Sequence, residues 1–169
     1  KNALTSILDD KSNVITLYGE NDIDNKVSRK NQINDPKMWL IHDFDQYYEE
    51  IVRSYIIGSY YPVATSCTTL AERLINLFII KLRNLYPVEL LTNELQNYVH
   101  ERHQNWQSFD KNIQVLESWN ILSQHQKEWF KKILEIRNRA VHFQPSFNPQ
   151  KDSLDAIKTL HKVIDRYFS

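Results

Sequence analysis

Apolar residues recur at steps of three and four along most of the chain from Leu40 onward, which is the spacing of one face of an α-helix. Only two glycines occur, Gly19 and Gly58, whereas a β-rich domain of 169 residues would need many more turn residues. A chain of this length can bury one substantial core. The sequence therefore predicts an all-α protein built around a single core.

Six segments carry this helical spacing. Their apolar positions run from Leu40 to Tyr55, Val63 to Phe78, Leu91 to Val99, Ile113 to Leu122, Trp129 to Val141 and Leu154 to Phe168. The second is apolar over much of its girth, which predicts the central helix. The fifth opens with the capping-box spacing of Ser123 and Gln126 and stops before Pro145, and Ser153 is expected to cap the sixth.

Residues 1–38 differ in composition from the rest of the chain. They are rich in Asp, Asn, Lys and Ser, and Asp35 and Pro36 punctuate their end. We expect residues 1–38 to form a polar extension or linker and residues 39–169 to form the helical domain. Because the chain begins with Lys1 rather than Met, we also expect it to be a fragment of a longer protein or a processed form.

Charge and cysteine content narrow the function classes. Lys and Arg together number 21, as do Asp and Glu, so nucleic acid or anionic lipid must be attracted by a local patch. The single cysteine, Cys67, excludes an internal disulfide and a multi-cysteine zinc site. No uninterrupted apolar run approaches the ~20 residues that cross a bilayer. We expect a cytoplasmic protein that does not enter a membrane.

Arg137 breaks the pattern of the fifth helix. Its neighbours at three and four residues are Ile133, Leu134, Ala140 and Val141, so no acid on its own helix can pair with it. An unpaired buried guanidinium costs several kcal/mol. Arg137 must therefore meet a partner from elsewhere, or border a cleft or an interface.

Two further polar residues follow Arg137. Asn138 is adjacent, and His142 lies five residues on, near the helix end. In a regular helix, Arg137 and His142 differ by roughly 140° in direction and ~7.5 Å along the axis. They cannot both reach one small atom unless the helix loosens or a second helix or subunit completes the site. Arg139, by contrast, can pair with Glu135 as ordinary surface charge.

The stretch RNRAVH, Arg137–His142, resembles the R-N-x-x-x-H form of the Arg-x4–6-His motif of the HEPN (higher eukaryotes and prokaryotes nucleotide-binding) superfamily. The resemblance extends to YYEEIVRSYIIGSYYPVATSCTTLAERLINLF and to the closing helix, and covers about residues 40–169. It implies a helical bundle of about five to six helices that forms a symmetric homodimer, in which motifs from two subunits meet in one cleft.

Many HEPN domains are metal-independent endoribonucleases of toxin–antitoxin, abortive-infection and antiviral systems. By this resemblance His142 would act as general acid or base, Arg137 would stabilise the charged phosphorane, and Asn138 would hold the phosphate or orient His142. The products would be a 2′,3′-cyclic phosphate and a 5′-hydroxyl. A regulatory domain or antitoxin is an expected partner besides RNA, and no cofactor is implied.

Other residues carry weaker signals. Some HEPN nucleases add an acid, and Glu72 is the candidate; its structural alternative is a pair with a nearby cation. Lys131, Lys132 and Arg139 could contact an RNA backbone or be ordinary helix surface. Gln144 stands where adenylylated HEPN toxins often carry Tyr, which argues against that form of regulation. His100 and His103 have a spacing that could bind metal, but no acid–His set completes it, so no metal is expected.

Two other function classes stay open. A catalytically silent HEPN module could serve dimerisation or nucleotide or RNA binding within a larger protein. A plain helical scaffold would instead place Arg137 in a salt bridge inside one subunit, away from any cleft.

Overall fold

The computed structural model describes residues 3–33, 42–100 and 108–167, and within these ranges it contains helices and no β-strand. The α-helices are α1 (Ala3–Tyr18), α2 (Ile23–Lys30), α3 (His42–Ile56), α4 (Tyr60–Leu82), α5 (Asn93–His100), α6 (Phe109–Ser118), α7 (Gln124–Val141) and α8 (Pro149–Tyr167). A short 3-10 turn covers Val88–Leu90. The predicted all-α class is confirmed.

Helix α4 is the centre of the bundle, because it packs against α3, α6, α7 and α8. Its buried side chains include Cys67, Leu70 and Leu74. Among the described residues only α4 would be long and apolar enough to cross a bilayer, judged by length and composition, yet half of that stretch is buried by its neighbours. A core helix of a bundle has these same properties.

The segment expected to be a polar extension contains helices α1 and α2, which pack against each other. Helix α2 also packs on α3 through polar contacts. Arg29 is only 8% exposed; its Nε donates to the carbonyl oxygen of Ile56 at 2.6 Å, and its Nη2 pairs with Asp22 at 3.1 Å. Tyr55 donates its hydroxyl to Gln32 at 2.8 Å. Because polar side chains make these contacts, residues 1–38 show no apolar periodicity from which the packing of α2 on α3 could be predicted.

Arg29 is expected to contribute measurably to stability. Replacing Arg29 with Met leaves the Ile56 carbonyl at the end of α3 without its charged donor, and bonds to charged groups contribute about 1.5–3 kcal/mol. Urea unfolding should therefore show a loss of about that size in the free energy of unfolding. Arg53→Met, an exposed site on α3, is the control. Superimposable curves for the two variants would show that the hydrogen bond from Arg29 to Ile56 adds nothing to the stability of the bundle.

The start of α7 agrees with the sequence. Ser123 accepts a hydrogen bond from the backbone N–H of Gln126, and the Gln126 side chain accepts one from the backbone N–H of Ser123. The predicted capping box is confirmed. It fixes where α7 begins and therefore the direction in which each later side chain of this helix points.

The start of α8 differs from the prediction. The helix begins at Pro149, where a residue without an N–H is well tolerated, and Asn148 accepts a hydrogen bond from the N–H of Lys151. Ser153 lies inside the helix, is fully buried, and donates its hydroxyl to the carbonyl oxygen of Tyr60 at 2.8 Å. The prediction that Ser153 caps α8 was wrong, because its hydroxyl ties α8 to the start of α4 instead.

Candidate active site

Helix α7 presents the RNRAVH segment at the edge of its buried face. Phe130, Ile133, Ile136 and Ala140 are buried in the core, whereas Arg137 is half-buried. The helix stays α-helical to Val141, so Arg137 and His142 keep the divergent directions that a regular helix imposes.

Two groups surround the Arg137 guanidinium. Its Nη1 donates to the side-chain oxygen of Asn138 at 3.0 Å. Glu72 on α4 is near enough for its charge to interact with that of Arg137, although the two form no ion pair within 4 Å in the described structure. The cation is thus neither shut off from water nor neutralised by a direct salt bridge.

The Glu72 carboxyl group is partly buried, which disfavours its charged form. Partial burial raises the pKa of its carboxyl group, and the positive charge of Arg137 opposes that rise without cancelling it. One turn earlier on α4, Thr68 donates its hydroxyl to the carbonyl oxygen of Ile133 at 3.2 Å, which fixes α4 against α7 beside this pair. The fold therefore holds together two residues, Glu72 and Arg137, that lie far apart in sequence.

Glu72→Gln is expected to stabilise the protein at pH 7. The folded-state pKa of Glu72 lies above its ordinary value, because burial disfavours the charged carboxylate. The protonated carboxyl group therefore favours the folded state below the ordinary pKa, and this contribution to stability is lost as pH rises through the folded-state pKa. The gain in unfolding free energy should shrink as pH falls. Denaturation at several pH values measures it, with exposed Glu49→Gln as the control. A loss of stability at pH 7 would identify Glu72 as a structural partner of Arg137.

His142 is the C-cap of α7 and is exposed. Its backbone N–H donates to the carbonyl oxygen of Asn138 at 3.1 Å. Within the parts of the chain that the structure describes, the imidazole makes no hydrogen bond or ion pair. The structure thus joins Asn138 to Arg137 by a hydrogen bond, and the role of Asn138 in holding a phosphate or orienting His142 stays a prediction. The imidazole is open to a ligand.

An exposed aromatic pair adjoins His142 and was missed by the sequence analysis. Phe143 has a φ of 49°, in the left-handed region, and its ring is 81% exposed. The ring lies parallel to that of Tyr61 on α4, with an interplanar angle of 6° and centroids 6.1 Å apart. Phe143 stands out in the sequence only as an aromatic residue next to the candidate histidine, and nothing there pairs it with Tyr61.

The three basic residues predicted to contact an RNA backbone are all in ion pairs. Lys131 pairs with Glu128 at 3.7 Å, Lys132 with Asp155 at 3.1 Å, and Arg139 with Asp152 at 3.0 Å. The expected pairing of Arg139 with Glu135 was wrong, because α8 supplies a closer acid. A phosphate would have to displace these carboxylates, and the RNA-contact role of the three residues stays a prediction.

The described ranges offer few candidate metal ligands. No group of three or more His, Cys, Asp or Glu side chains is clustered there in a way that could hold a metal ion. The side chains of His100 and His103 lie outside the described residues. Burial raises the pKa of the Cys67 thiol far above its usual range, which makes this thiol a poor ligand.

Comparison with known proteins places the motif inside a family. The family described as a domain of unknown function, DUF4145, matches residues 76–169, a span from the middle of α4 to the end of the chain that includes Arg137–His142. No curated protein and no solved structure matches the chain. Because the matched span exceeds half of the sequence, the chain belongs to the DUF4145 family.

Proposed function

We propose that this protein is a metal-independent endoribonuclease of the HEPN type, acting as a cytoplasmic homodimer in a toxin, abortive-infection or antiviral context. One observation carries the proposal. A half-buried guanidinium, hydrogen-bonded to Asn138 and near enough to Glu72 for their charges to interact, lies on the same helix as an exposed imidazole that makes no hydrogen bond or ion pair among the described residues.

The residues suit cleavage by the RNA's own hydroxyl. His142 takes the proton from the 2′-OH, the 2′-oxygen attacks phosphorus, and the bond from phosphorus to the 5′-oxygen breaks. The departing 5′-oxygen takes a proton from a general acid, which leaves a 2′,3′-cyclic phosphate and a 5′-hydroxyl. Arg137 offers a permanent, planar cation to the phosphorane. The side-chain oxygen of Asn138 accepts a hydrogen bond from Arg137, so the side-chain NH2 group of Asn138 keeps its two N–H donors for a phosphate oxygen.

A homodimer would explain how Arg137 and His142 act on one phosphate although their side chains point in different directions from one helix. In one copy they differ by roughly 140° in direction, and no hydrogen bond joins them in the described structure. A two-fold dimer that brings the two α7 ends together would let one copy's Arg137 and the other's His142 reach the same phosphate. The active site therefore lies at the subunit interface.

Glu72 fits the role of auxiliary acid. Its raised pKa means that the carboxyl group holds a proton at higher pH than an ordinary glutamate does, which favours donation to a leaving oxygen. Its neighbour Arg137 places it near the phosphate that Arg137 would bind.

RNA cleavage in EDTA tests the proposal. The purified protein is incubated with several classes of RNA, and the ends of the products are analysed. We expect 2′,3′-cyclic phosphates and 5′-hydroxyls, with no cut at a position carrying a single 2′-deoxy substitution. Products with 5′-phosphates, or cleavage at the 2′-deoxy position, would contradict this chemistry. Tight RNA binding with no cleavage would instead support the non-catalytic HEPN module, and absence of both would favour a scaffold.

A further inference from the structure

We propose that Tyr61 and Phe143 form a stacking platform for one unpaired nucleobase beside the scissile phosphate. This inference rests on the proposed ribonuclease function and adds the two residues that hold the base. The platform consists of the two parallel rings, one from the first turn of α4 and one from the residue after His142.

The rings are available to a ligand. Phe143 is 81% exposed and Tyr61 is 45% exposed, although aromatic rings are favoured inside a core. The two rings are stacked with an interplanar angle of 6°, and a base that lies on the exposed Phe143 ring would extend this stack. Successive bases of single-stranded nucleic acid stack on aromatic faces of this kind, largely irrespective of sequence.

The backbone holds Phe143 in an uncommon conformation. Its φ of 49° is unusual for a bulky residue, a position where glycine or asparagine is common. The N–H of Phe143 donates to the Ala140 carbonyl at 3.2 Å and that of Gln144 to the Arg139 carbonyl at 2.9 Å, which closes the end of α7. Strained residues of this kind cluster at functional sites. The ring is thereby fixed one residue from His142.

Adjacency to His142 indicates what the platform binds. The imidazole must approach a 2′-OH, and the base carried by that ribose or its neighbour then lies within reach of the next residue's ring. Paired bases are stacked inside a duplex and cannot reach a protein ring without being flipped out.

Binding of a fluorescent 2′-fluoro oligonucleotide, which lacks the attacking hydroxyl, tests the platform independently of cleavage. Phe143→Gly removes the ring and suits the left-handed backbone, so the thermal midpoint should change little. We expect its Kd for the single strand to rise by about tenfold, within the range of one base–aromatic stack. Phe143→Trp should bind as well as the wild type, and Tyr47→Ala, another exposed ring on α3, is the matched control.

An abasic scan locates the base. At one position of the oligonucleotide, an abasic site should weaken wild-type binding and remove the difference between wild type and Phe143→Gly. If the wild type cleaves RNA but Phe143→Gly binds the oligonucleotide with an unchanged Kd, the platform proposal is wrong and the proposed ribonuclease function still stands. Loss of the dimer on sedimentation of Phe143→Gly would also overturn it, because the ring would then pack against a second copy. Failure of the wild type to bind or cut any RNA would sink both proposals.

Discussion

Replacing His142 with alanine is expected to slow RNA cleavage by about 10²–10⁴-fold, the usual contribution of a positioned general acid or base. The side chain is exposed and makes no hydrogen bond or ion pair within the described structure, so its removal should leave the free energy of unfolding nearly unchanged. Rates are measured under single-turnover conditions with excess protein and an RNA that the wild type cuts at one site.

His125→Ala supplies the matched control, because His125 is an exposed histidine at the other end of α7, where it packs on Trp129. We expect this variant to cut at the wild-type rate. Added imidazole should restore part of the activity of His142→Ala and leave His125→Ala unaffected, since only a missing proton carrier can be replaced from solution. Equal rates for His142→Ala and wild type would exclude His142 from the chemistry.

Much of the bundle could be read from local sequence signals. Helices α3–α8 follow apolar periodicity, and the capping box at Ser123 and Gln126 marks the start of α7 to the residue. Polar contacts between helices leave no such signal. Ser153 resembles a cap but donates to the Tyr60 carbonyl, and Arg29, in the segment expected to be an extension or linker, donates to the carbonyl at the end of α3.

The same distinction holds for the candidate site. The neighbours of Arg137 on α7 follow from helical spacing, which showed that its own helix offers no acid. Its approach to Glu72, the pairing of Arg139 with Asp152 and the stack of Tyr61 on Phe143 each join two helices. Such contacts depend on how α4, α7 and α8 pack, and no pattern within one helix specifies them.

Two inactive variants should restore activity when they share a dimer. If the site combines Arg137 of one copy with His142 of the other, a dimer of Arg137→Ala and His142→Ala chains contains one site with both residues intact and one with neither. Random pairing makes half of the dimers mixed, so co-expressed chains should recover about a quarter of wild-type activity, whereas each variant alone stays inactive.

The control for this mixture is Arg137→Ala co-expressed with the double variant Arg137→Ala/His142→Ala, in which no combination of copies supplies the guanidinium, so no activity should return. The divergence of the two side chains along α7 is the physical reason to expect recovery, because one regular helix cannot aim both at a single phosphate. Recovery would place the reacting phosphate between subunits. A mixture as inactive as its components would mean that Arg137 and His142 act within one copy, and α7 would then have to unwind after Asn138 when RNA binds.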